Sequence, residues 1–416
     1  MFHPSDIADA VVALAASGGD RHGEALDRAA AEVAARAGEF TPKQLVGAVW
    51  GFAKAGRPTG GRMWGAAATR LRAQGAALSP GGLAVALHSF ATAGAASPSL
   101  VDTLGRLAGT KAAFLSAQDL ANVAWAFAAG GAAPPPAALT AIAREAASRP
   151  AGALERRHRA NLVWAYAKLG SPAPEMLAAL ASAVADDAPD ASAGELAMVA
   201  AGYARAERDP ARLVFDALAE EVRARGPSLP SRELATIMRA FATARRRPLR
   251  AFDVVAEQLG ARADDAPPGA LATLLWALAK SRFAPSPGVL APVVETLEAR
   301  AEEFPGRDLA TALWAAAELL PAGDDGPGLE PLCRAVEGEL EARRAAFNRM
   351  DMRMVCGAFG AAGYRLPVAC KQYLDEEERR RRARKARSRG TGGRGRGGTA
   401  SKPQRREYKQ KGLSRG

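Results

Sequence analysis

The sequence predicts an all-α fold: an α-solenoid, or superhelix, of about ten two-helix repeats of ~38 residues, followed by a disordered basic C-terminal tail. Three observations predict it. A twelve-residue apolar segment recurs at nearly constant spacing, capping residues and glycines bracket its copies, and the last 38 residues hold the positive charge.

The segment LVGAVWGFAKAG, from Leu45, returns as LAVALHSFATAG from Leu83, LANVAWAFAAGG from Leu120, RANLVWAYAKLG from Arg159 and LAMVAAGYARAE from Leu196. It continues as LATIMRAFATAR from Leu234, LATLLWALAKSR from Leu271, LATALWAAAELL from Leu309 and MRMVCGAFGAAG from Met352, after a degenerate first copy, IADAVVALAASG, from Ile7. The spacings are 38, 38, 37, 39, 37, 38, 37, 38 and 43. Composition alone, even one rich in Ala, does not generate such a period.

Each unit reads as two helices. The first opens on a capping signature, as in Thr41-Pro42-Lys43-Gln44 and Ser192-Ala193-Gly194-Glu195, where a hydroxyl accepts from a free backbone N–H and Gln or Glu bonds back. Pro42 and Pro80 fit a first turn that needs no N–H. Gly18, Gly56, Gly94, Gly131, Gly170 and Gly363 suit the left-handed residue that ends a helix. The second helix follows a Pro-rich link, as in PARLVFDALAEEVRAR after Asp209 and PGVLAPVVETLEARAEE after Ser286, and alternates charge with an apolar stripe. The longer last spacing comes from LLPAGDDGPG, from Leu319 to Gly328, read as a surface loop; Asp324 and Asp325 lack further acids at calcium-loop spacing.

At 100° per residue, position 0 of each copy and positions +1, +4, +7 and +8 share an arc of about 120°, the expected core stripe. Position +7 carries Phe52, Phe90, Phe127, Tyr166, Tyr203, Phe241 and Phe359. Small residues at +6, such as Gly51, Ser89 and Gly202, predict close approach between neighbouring helices. The tryptophans, among them Trp50, Trp125 and Trp164, are expected to pack. Positions +2 and +9 lie almost opposite and vary between copies, as a recognition surface varies, or as a merely solvated face does.

From Arg379 onward, 16 Lys and Arg face one acid, a net +15, whereas the preceding 378 residues carry 40 bases and 43 acids, a net −3. The body is thus near neutral and the basic character belongs to the tail. Cys333, Cys356 and Cys370 form no C-x-x-C pair and read as small buried hydrophobes of a reducing compartment. No apolar run reaches the ~18 residues of a membrane span, so no membrane partner is expected. His3, His22, His88 and His158 lie far apart, none at metal-ligand spacing, and there is no P-loop, G-x-S-x-G or H-E-x-x-H. No catalysis, cofactor, metal or small-molecule substrate is expected; His88 replaces Trp at +5 and reads as a partly buried variant.

The units LANVAWAFAAGG, LVWAYAKLG and LLWALAKSRF resemble the octotricopeptide repeats of algal organelle proteins, and the related repeats of FAST kinase-like proteins and of the trypanosome RNA-editing substrate-binding complex. The resemblance covers residues 1 to about 366. It implies binding, stabilising, processing or editing of mitochondrial or chloroplast RNA. The RAP module that ends several such proteins has no counterpart here. The chain opens inside its first repeat without an Arg- and Ser-rich presequence, so either targeting is unusual or the reading frame starts late.

These readings divide the chain into a solenoid (1–366), a charged helical extension (367–387) and a disordered Arg/Gly/Lys-rich tail (388–416). The expected function is non-catalytic binding of single-stranded RNA in an organelle. The alternative is a scaffold gripping other ribonucleoprotein subunits, which the near-neutral body favours. In the RNA reading, Asn122, Asn161, Thr236, Thr273 and Thr311 at +2 meet base edges, and Lys54, Lys168, Arg205 and Lys280 at +9 pair with phosphates. Arg394 and Arg396, in GGRGRGG, add nonspecific contacts, against the alternative of a solubilising or nuclear-import tail.

Overall fold

The computed structural model describes residues 2–56, 60–206, 208–320 and 328–391. Within them the chain forms twenty α-helices and no strand. The first helices of the ten units are α1 (Pro4–Ala16), α3 (Pro42–Ala55), α5 (Pro80–Thr92), α7 (Ala117–Ala129), α9 (Arg156–Leu169), α11 (Ala193–Tyr203), α13 (Ser231–Thr243), α15 (Pro268–Lys280), α17 (Gly306–Leu319) and α19 (Arg349–Ala361). The second helices are α2 (Gly23–Arg36), α4 (Gly60–Gln74), α6 (Pro98–Thr110), α8 (Pro136–Ser148), α10 (Pro174–Asp186), α12 (Arg208–Arg225), α14 (Leu249–Ala261), α16 (Pro287–Ala299), α18 (Glu330–Ala342) and α20 (Val368–Thr391).

Odd helices pack on the next odd helix, and even helices on the next even helix through α18, giving the two layers of an α-solenoid over one continuous apolar core. Local chemistry starts each unit as expected. The Thr41 and Ser192 hydroxyls accept from the N–H of Gln44 and Glu195, both at 3.3 Å, and those two side chains accept from the Thr41 and Ser192 N–H, both at 2.8 Å. All six helix-ending glycines are left-handed, with φ between 62° and 99°.

The core stripe is wider than the sequence predicts. Positions 0, +1, +4 and +7 are buried in nearly every copy, and +8 is buried or half-buried in all but Gly360. Positions +3 and +6 are buried too from the second copy on, where the first helix of the preceding unit packs against that side. Contact is closest at +6: a β-carbon on Gly51 would lie 2.8 Å from Val11 Cγ1, and one on Gly202 only 1.9 Å from Val163 Cγ1. Packing also continues past residue 366. Cys370 and Tyr373 of α20 are buried and Arg349 bridges to Glu377, so α20 serves as the second helix of the tenth unit. All three cysteines are buried free thiols, and burial pushes the Cys333 thiol up to about 12. Residues 321–327, with Asp324 and Asp325 of the expected loop, lie outside the described residues, as do Arg394 and Arg396.

Candidate functional site

The face left open by the wide core stripe holds three columns, +2, +5 and +9, at helical angles of about 200°, 140° and 180°. The +2 residues Asn122, Asn161, Thr236, Thr273 and Thr311 are half-buried, whereas Lys54, Lys168, Arg205 and Lys280 at +9 are exposed. Between them stands the +5 column, with Trp50, His88, Trp125, Trp164, Trp276 and Trp314, every ring half-buried. Trp125, Trp164, Trp276 and Trp314 pack against the core, in line with the packing role expected of the tryptophans, and the +5 column also shares the open face with the variable residues. Their rings interact along and across the columns. His88 and Trp125, at +5 of successive units, lie 4.7 Å apart with planes tilted by 32°. Burial lowers the His88 pKa, so the ring stacks uncharged near neutral pH. Lys54 Nζ lies 4.9 Å from the centre of the Trp50 ring and Lys168 Nζ 4.8 Å from that of Trp164, the +5/+9 pair of one helical turn making a cation–π contact.

Hydrogen bonding separates the two polar types at +2. The hydroxyls of Thr236, Thr273 and Thr311 donate to the carbonyls of Arg232 (3.1 Å), Gly269 (2.7 Å) and Arg307 (2.8 Å), one turn back. Their protons are committed, and only their lone pairs face a ligand. Asn122 and Asn161 make no side-chain hydrogen bond among the described residues and keep both donor and acceptor.

The expected residues do not all meet. Three of them, Lys168, Arg205 and Thr236, converge on a groove of ≈ 680 Å³ spanning the fifth to seventh units, together with Trp164, Arg239 and Thr243. No acidic side chain lines it, and none of its three cations pairs with a carboxylate among the described residues. Two local departures open it. Position +5 is Ala201 in the sixth unit, and α11 ends at Tyr203, so Arg205 lies beyond the helix on which its angle was computed. Lys54 lies far along the array on α3, and Lys280 and Thr311 lie on α15 and α17, outside the groove.

Beside the groove, Arg239 to Arg250 holds five arginines and no acid. Arg246 lies 5.6 Å from the centre of the Phe215 ring and Arg247 6.0 Å from that of Phe283. Arg245 and Arg282 occupy the helix-ending position that glycine fills in six other units, and adopt its left-handed conformation, with φ of 55° and 52°. The body is thus near neutral in sum but basic in one place, which a count along the chain averages away. Arg239, Arg245 and Trp164 were legible in principle: the helical angle of +5 lies 40° from that of +9, and the column change from Gly to Arg is visible in the alignment of copies. No protein-family model matches the chain, and no curated protein matches it in sequence, so the likeness to octotricopeptide-type repeats rests on the motif residues alone.

Proposed function

We propose that the chain is a non-catalytic, single-stranded RNA-binding solenoid acting on mitochondrial or chloroplast transcripts. The observation that carries the reading is the groove of the fifth to seventh units, where an aromatic ring, hydroxyl lone pairs and three cations meet, with no acid lining it and no carboxylate paired to them among the described residues. Phosphate binding needs such cations, and unpaired bases stack on exposed ring faces. The tail adds affinity without sequence preference.

The test is a salt titration of RNA binding with a chain ending at Thr391, which keeps all twenty helices. Changing Lys54, Lys168, Arg205 and Lys280 to Ala is expected to weaken binding and flatten the salt slope by about 3, at ~0.7 per phosphate contact on a single strand. An unchanged affinity and slope would sink the assignment. The net −3 of the body favours a second reading, a protein scaffold in a ribonucleoprotein. Failure of the shortened chain to bind any RNA, with binding retained by the full chain, selects that reading.

A further inference from the structure

The +5 column is interrupted along the groove, at Ala201 and Arg239. Rings stand there in units two to five and again in units eight and nine, but the sixth unit has Ala201 and the seventh Arg239. An alanine in a column of indoles leaves an indole-sized gap on the open face. Its neighbour across Gly202, the Val163 turn of α9, approaches so closely that the backbone cannot close it from beside. α11 also stops at Tyr203, two residues earlier in the repeat than α13 or α15, and Ala204, Arg205 and Ala206 beyond it line the groove. The gap opens into the groove of the fifth to seventh units, which at ≈ 680 Å³ in all falls in the ~300–1,000 Å³ range of clefts that hold small ligands.

We propose that this gap is a nucleotide slot: one unpaired base of the bound RNA lies beside Trp164 in the place that an indole fills in other units, and Lys168, Arg205 and Arg239 hold its phosphates. The inference rests on the RNA-binding reading and adds where a base enters and why. Each component has a physical reason. Trp164 offers a ring of which part is already in solvent, and a base that stacks on it displaces the Lys168 ammonium, 4.8 Å from the ring centre, toward the phosphate. Lys168, Arg205 and Arg239 pair with no carboxylate among the described residues, and guanidinium and ammonium groups of this kind bind phosphate. The hydroxyls of Thr236 and Thr243 donate to the Arg232 and Arg239 carbonyls, at 3.1 and 2.8 Å, and present acceptors to the N–H edges of a base.

The test fills the slot. Ala201→Trp restores the ring that six other units carry as Trp or His at +5, so the fold has precedents for it. The full chain is titrated with a labelled single-stranded RNA of about 12 nucleotides at about 0.3 M salt, where backbone contacts weaken and stacking persists. Ala201→Trp and Trp164→Ala are each expected to weaken binding about tenfold, and the double variant no more than either alone. Two independent variants guard against loss of fold in one of them. If both bind as tightly as the unchanged chain, or if Ala201→Trp binds more tightly, the slot is wrong while the RNA-binding reading stands. If the unchanged chain binds no RNA, the reading fails and the slot falls with it.

Discussion

Arg159 stands at position 0 of the fifth unit, where the other nine copies carry Leu, Ile or Met. It is buried, and its Nε donates to Asp187 Oδ2 at 2.8 Å while another of its nitrogens reaches the Leu154 carbonyl. The rest of the array explains the pair. Near the end of the second helix, Lys111, Arg149, Arg225, Arg262 and Arg300 each donate to the carbonyl that leads into the first helix of the same unit, for example Arg262 to Leu229 at 2.7 Å and Lys111 to Leu78 at 2.7 Å. In the fifth unit that column holds Asp187, and Arg159 supplies the missing donor from the opposite helix while neutralising the acid. The substitutions compensate each other, and each alone is a defect. Arg159→Leu is expected to cost about 3 kcal/mol, since it strands a carboxylate in a largely buried site. Arg159→Leu with Asp187→Arg recreates the pattern of the other units and should recover most of that loss. Urea midpoints of the two variants decide it; equal midpoints would show that the pair is not coupled. The same logic of carbonyl capture places tyrosine at +7: the Tyr166 hydroxyl donates to the Leu139 carbonyl at 2.6 Å and that of Tyr203 to Leu177 at 2.7 Å, in the second helix of the preceding unit.

At the scale of the helix, the residue that ends it differs between units. Six units end the first helix on a left-handed glycine, which has no side chain to clash. Arg245 and Arg282 hold the same backbone at a cost of about 1–2 kcal/mol for a residue with a β-carbon. Strain of this kind persists where a side chain serves something other than the fold. Replacing either arginine by glycine is therefore expected to raise stability by about 1 kcal/mol and to weaken RNA binding at low salt. Thermal melts and a binding titration on the same samples check both signs; a glycine variant that melts lower would remove the strain argument. Helical angle puts +5, at about 140°, on the same face as +2 and +9, and the recurrence of tryptophan there marks packing without showing that the rings also reach solvent. The half-buried state of Trp50, Trp125 and Trp164 shows that they do: an indole packs its inner edge and leaves its outer edge in water.

For the molecule as a whole, an array needs an end that faces water. The tenth unit obtains one from α20, whose early residues Cys370 and Tyr373 are buried, whereas Glu376 and Glu378 are exposed and pair at i, i+4 with the exposed Arg380 and Arg382. A chain ending at 366, where the repeat pattern stops, loses that cover and about 3 kcal/mol of apolar burial. It is expected to melt several degrees lower than a chain ending at Thr391 and to elute as aggregates in size-exclusion chromatography. Equal melting and elution would show that α20 is an appendage.

The sequence by itself determined the repeat, its register, the caps, the left-handed glycines and the aromatic core column, because each depends on neighbours within one helical turn or on a period that composition cannot imitate. It also placed Asn122, Asn161 and Lys168 on a common face, since helical angle is a local property. Only the tertiary structure decided that +3 and +6 are buried, that Trp164 shares a groove with Arg205 and Arg239, and that Asp187 needs Arg159. Those relations join residues about 28 to 75 positions apart in the chain, and their geometry is set by how one unit stacks on the next. A period reports that the units stack; the side chains that meet when they do are fixed by the packing itself.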